Sequence, residues 1–71
     1  MGIEFGKNLK IVRRALHISQ VELAESLSVS QSVVSQWEKG EISPTVDNLI
    51  KICEVLNVSS DLLLGIERDG E

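Results

Sequence analysis

Gln31, Ser32, Ser35 and Gln36 place two amides and two hydroxyls at helical spacing, the second pair following the first one turn later. A glutamine amide donates and accepts at once and can pair bidentately with adenine, and a serine hydroxyl can do either. This is chemistry for reading the edges of base pairs rather than for breaking bonds. No set of nucleophile, base and orienting group accompanies it, and no phosphate loop. One histidine (His17) and one cysteine (Cys53) cannot make a zinc site, and a single cysteine excludes an internal disulfide. The sequence therefore predicts a non-enzyme with no metal site and no cofactor.

These side chains need a helix to carry them and a scaffold to hold that helix. Ser30 is placed to cap a helix from about Gln31 to Lys39, and Gly40 to end it. Val34 and Trp37, three apart, are its inward positions, with Val29 plugging the turn beneath. Their spacing makes Trp37 core rather than a stacking platform for bases. The helix before it opens on a capping box, Ser19-Gln20-Val21-Glu22, and buries Leu23, Ala24 and Leu27. Ser28-Val29-Ser30 between the two is long enough only for a tight turn. Upstream, Phe5, Leu9, Val12 and Leu16 recur at steps of four, three and four, which predicts a first helix over about Glu4 to Leu16. Lys7, Lys10 and Arg14 fall off that stripe and face outward, while Ile11 is apolar off the stripe. Pro44 forces Ser43 out of helical geometry, so a loop separates the third and fourth helices. Thr45 caps the fourth, about Val46 to Leu56, with Leu49, Ile52, Cys53 and Leu56 inward. Ser59 caps a short fifth carrying Leu62, Leu63 and Leu64, closed by Gly65. No alternating run predicts a strand, so the class is all-α. His17, Ser28 and Asn57 stand just past helix ends where glycine is usual, and are expected at positive φ.

With 71 residues, 42% of them hydrophobic, the chain has room for one domain and too many apolar residues for disorder. The expected division is a domain over residues 1–66 and a flexible tail over 67–71. No apolar run approaches the ~20 residues of a membrane span and no signal-peptide pattern opens the chain, so a soluble cytoplasmic protein is expected. The net charge of −4 is uneven: residues 1–39 hold five bases and four acids, residues 40–71 two bases and seven acids. The acidic half can face away from a polyanion, although the phosphate contribution to binding is then smaller than in a basic protein.

Taken together, Ser19-Gln20-x-x-Leu23-Ala24, Val29-Ser30-Gln31-Ser32, Val34-Ser35-x-Trp37-Glu38-x-Gly40, Pro44 with Leu49, Asn57-Val58-Ser59 and Asp61-x-Leu63-Leu64 agree in order and spacing with one family. The chain resembles the phage-repressor (Cro/C1-type, XRE-type) DNA-binding domain over roughly Phe5 to Gly65. The resemblance implies a compact five-helix, lambda-repressor-like fold whose second and third helices form a helix-turn-helix. It also implies sequence-specific binding of double-stranded DNA by a transcriptional regulator, by family habit a repressor, associated with the nucleoid when bound. By the same resemblance Gln31, Ser32 and Gln36 read bases, with Ser35 and Val33 beside them. Gln20 binds a phosphate at a helix start, and Lys10, Arg13, Lys39 and Ser43 are further phosphate candidates. The family also pairs Arg13 with Glu38, tying the first helix to the third.

Two departures stand out. The loop Glu41-Ile42-Ser43 lacks the basic residue that often grips phosphate there, and His17, Ser28 and Asn57 replace the usual glycines. A single module reads few base pairs, so a homodimer is expected, with Leu62, Leu63 and Ile66 as its interface. The acidic second half and the leucine run also suit an antitoxin or a regulator whose main partner is another protein.

Overall fold

The computed structural model of the chain describes residues 4–65. Five helices follow one another: α1 (Phe5–Ala15), α2 (Gln20–Leu27), α3 (Gln31–Lys39), α4 (Val46–Leu56) and α5 (Ser60–Leu64). No strand occurs among the described residues. The all-α, five-helix architecture expected from the residue spacing is the one observed. Ile66 and the expected tail over 67–71 lie outside the described residues.

The helix starts are local. Ser19 Oγ accepts from the Glu22 N–H at 3.0 Å while the Ser19 N–H donates to Glu22 Oε1 at 2.8 Å, completing the capping box. Ser30, Thr45 and Ser59 each accept from the backbone N–H three residues on. Each cap satisfies a donor that the helix itself leaves unpaired, worth about 1 kcal/mol.

The helix ends share one device. His17, Ser28 and Asn57 adopt φ of 60°, 60° and 57°, as expected from their positions. The N–H after each reaches back five residues, Ile18 to the Arg13 carbonyl, Val29 to Ala24 and Val58 to Cys53. Ile18, Val29 and Val58 then pack against the core. The next residue in every case is the serine that caps the following helix. Left-handed residue, apolar plug and serine cap thus form the same three-residue turn three times.

Phe5, Leu9, Leu23, Ala24, Leu27, Val34, Trp37, Ile52, Leu56 and Leu63 make the core. Full burial of a side chain such as Leu9 or Val34 contributes about 1.5–3 kcal/mol. The first apolar stripe ends early: Leu16 is 47% exposed, because α1 stops at Ala15 and the chain turns away. Leu49 and Cys53, expected inward, are half-buried at the core's edge, and Ile11 lies on the surface. Beyond Leu49, the outer side of α4 exposes Val46 and Ile50 over an open groove of about 590 Å³ that Cys53 also lines.

Candidate nucleic-acid interface

The third helix divides cleanly. Val34 and Trp37 face the core, while Gln31, Ser32 and Lys39 are exposed and Ser35 and Gln36 are half-exposed between them. Amides, hydroxyls and one ammonium therefore share the outward face. Val33 departs from expectation. It is half-buried and packs against the core, because it lies on the flank of α3 next to Val34 and Trp37.

A continuous chain of hydrogen bonds holds this helix at both ends. Gln31, its first residue, donates from Nε2 to Gln20 Oε1 at 2.6 Å. Gln20, the first residue of α2, donates from its own Nε2 to Glu38 Oε1 at 2.9 Å. Glu38 in the last turn of α3 also receives Arg13 from α1, Nε to Oε2 at 2.6 Å and Nη2 to Oε1 at 3.1 Å. Arg13 Nη1 ends the chain on the Ile18 carbonyl at 2.7 Å. The ion-paired side chains are only 10% and 3% exposed. A bidentate fork between planar groups fixes orientation as well as distance. Taking two charges out of water is repaid only when the remaining donors and acceptors are matched. The carboxylate here accepts three hydrogen bonds, and no buried side-chain polar atom among the described residues lacks a partner.

Arg13 is thus the structural tie between α1 and α3. Its guanidinium is buried and engaged by Glu38 and Ile18, so it is not offered at the surface as a phosphate ligand. Lys10, Lys39 and Ser43 are exposed and Gln20 is half-buried at the start of α2. The loop of residues 40–45 carries Glu41 and no base.

Two contacts were not anticipated from the sequence. Asn8 Nδ2 donates to the Leu63 carbonyl at 3.1 Å, closing α1 onto α5. Gly6 lies with its backbone against the last-turn carbonyls of α3. The cues were a glycine and an asparagine, both weak helix formers, inside the first helix. The expected interface residue Leu63 is corrected: it is fully buried beneath α1 and cannot meet a partner, whereas Leu62 beside it is 53% exposed. Among the described residues no group of His, Cys, Asp or Glu could hold a metal, and no helix is long and apolar enough to cross a membrane.

Two helices with a three-residue turn, the second showing a polar face, define a helix-turn-helix domain. Residues 9–63 match the helix-turn-helix family model, and the chain belongs to that family, of Cro/C1 type. It is similar to the transcriptional regulator ImmR of Bacillus subtilis, 36% identical over 63 residues that cover 89% of this chain and 50% of ImmR. The P22 c2 repressor, solved with a synthetic operator, superposes with a TM-score of 0.82 at 33% identity, over 89% of this chain and 96% of that one. Hydroxypropylphosphonic acid epoxidase from S. wedmorenis contains a similar unit (TM-score 0.82, 30% identity), matching 89% of this chain but 34% of the enzyme. The chain spans half the length or less of the first curated relatives it matches.

Proposed function

We propose that this chain binds double-stranded DNA sequence-specifically, as the reading domain of a transcriptional regulator of the repressor kind. The observation that carries the reading is the outward face of α3, held at both ends by the bonds from Gln31 to Gln20 and from Glu38 to Arg13. In this mode α3 lies in the major groove and α2 crosses the backbone. Gln31, Ser32, Ser35 and Gln36 meet base edges. Gln31 uses one amide hydrogen on Gln20, which leaves its second hydrogen and its oxygen for the bidentate pairing that adenine accepts. Val33 contributes at most an edge contact to a thymine methyl. Gln20, Lys10, Lys39 and Ser43 take phosphates. The epoxidase relationship supports a domain used in more than one setting, so the assignment rests on the face of α3 and not on the fold.

Two copies reading half-sites ~34 Å apart would supply the specificity that one module lacks. We place the homodimer contact at α5 through Leu62, the exposed member of the leucine run, and at Ile66, four residues on in the sequence. A cytoplasmic location follows from this reading. Selection from random duplex DNA at two salt concentrations is the test. A symmetric consensus whose affinity falls with salt is the expected result. No enrichment at low ionic strength would remove the proposal, and a clean monomer at tens of micromolar by ultracentrifugation would remove the dimer.

A further inference from the structure

We infer that Gly6 is a positioning residue for the reading helix: its bare backbone is the seat on which the last turn of α3 rests. The inference rests on the DNA-binding reading above. A Cβ built on Gly6 would stand 2.3 Å from the Trp37 carbonyl oxygen and 2.8 Å from that of Glu38. Carbon does not approach oxygen so closely without a bond. Both neighbours are backbone atoms, so no rotamer change relieves the clash. Conformation does not explain the glycine, since Gly6 lies within α1 and is absent from the positive-φ residues. Alanine is the better helix former at such a place. Space is the remaining reason.

The position of this contact gives it a consequence for DNA. Trp37 is buried in the core, and the Glu38 carboxylate is held by Arg13 and Gln20. The last turn of α3 is therefore fixed by a core anchor, by an ion pair to α1 and by the Gly6 backbone of the same α1. A methyl at position 6 forces Gly6 and residues 37–38 apart by about 1 Å before ordinary contact is reached. Arg13 and Trp37 resist a simple translation, so α3 tilts about its N-terminal end. Hydrogen bonds to base edges tolerate little displacement or misalignment. Flexible lysine stems carrying phosphate contacts tolerate much more. Sequence discrimination should therefore fail before general affinity for DNA.

The experiment compares the parent chain, Gly6→Ala and Ile52→Val, the last as a core change in α4 that leaves the seat alone. Each is titrated with the duplex selected by the parent and with a scrambled duplex, at a temperature where circular dichroism shows all three folded. Gly6→Ala is expected to lose about tenfold or more on the selected duplex and to stay within about twofold on the scrambled one. Ile52→Val should hold both. An unchanged ratio of the two affinities in Gly6→Ala, or an equal loss on both duplexes, would overturn the inference. So would a Gly6→Ala chain that fails to fold, since the residue would then serve the fold rather than the helix angle. Residual dipolar couplings give a second readout without DNA: amides of α3 should reorient relative to α4 in Gly6→Ala, and identical couplings would overturn the inference. If the parent selects no duplex, the DNA-binding reading fails by itself and the couplings still test the seat.

Discussion

Arg13 and Glu38, twenty-five residues apart, meet as a nearly buried fork with Nε–Oε2 at 2.6 Å. The same carboxylate takes Gln20 at 2.9 Å, so one acidic side chain gathers α1 and α2 onto α3. A polar junction in so small a core is costly to break halfway, because each partner stripped of the other is left charged and poorly hydrated.

Arg13→Met or Glu38→Leu alone is expected to destabilise the fold by about 3 kcal/mol, a large share of what a small domain possesses. The pair Arg13→Met with Glu38→Leu should lose much less, since no buried charge is then orphaned. Urea denaturation of the four chains of the cycle measures this, and additive losses would show that the two residues are not coupled.

Replacing Ser28 by glycine should stabilise the protein. Its φ of 60° is strained for a side-chain-bearing residue, and glycine relieves about 1 kcal/mol, less what it adds to the freedom of the unfolded chain. The melting temperature should rise by a few degrees. His17→Gly and Asn57→Gly should gain less, because both residues tolerate this geometry better. A lower melting temperature for Ser28→Gly would mean that the serine does more than turn the chain.

Gln36→Ala should lose roughly 1–3 kcal/mol on the selected duplex and accept more sequences at one position. Lys10→Ala should weaken every duplex alike and reduce the salt slope by about one. The two variants separate base reading from charge, because Gln36 lies on the outward face of α3 while Lys10 is an exposed base on α1. Gel-shift titrations at several salt concentrations check both. A Gln36→Ala chain that binds like the parent would relocate the reading surface.

Cys53 should be a slow nucleophile at neutral pH. Burial beside the α4 groove raises its thiol pKa, and the Glu54 carboxylate raises it further. Only the thiolate reacts, so iodoacetamide labelling should be slow at pH 7 and accelerate above the usual thiol range. It should be faster in denaturant at the same pH, where the burial is lost while Glu54 stays beside the thiol in the chain. Equal rates in folded and unfolded chain would show that the groove does not shield the sulfur.

Local chemistry was legible from the order of residues alone. The serine and threonine caps, the helix limits to within a residue or so and the three left-handed turns all follow from groups within five positions of one another. Such interactions depend on backbone geometry that is the same in every helix. The outward face of α3 could be read for the same reason, because helical spacing puts Gln31, Ser32, Ser35 and Gln36 together wherever the helix goes. What only the tertiary structure decided is how the helices cross. Leu62 and Leu63 are neighbours of one type, yet the approach of α1 to α5 buries one and exposes the other. That approach also commits Asn8 to the Leu63 carbonyl. The angle between α1 and α3 turns Gly6 from a weak helix former into a seat and joins Gln31, Gln20, Glu38 and Arg13 into one chain of bonds. A crossing angle is settled by packing many side chains at once, and no spacing within a single helix encodes it.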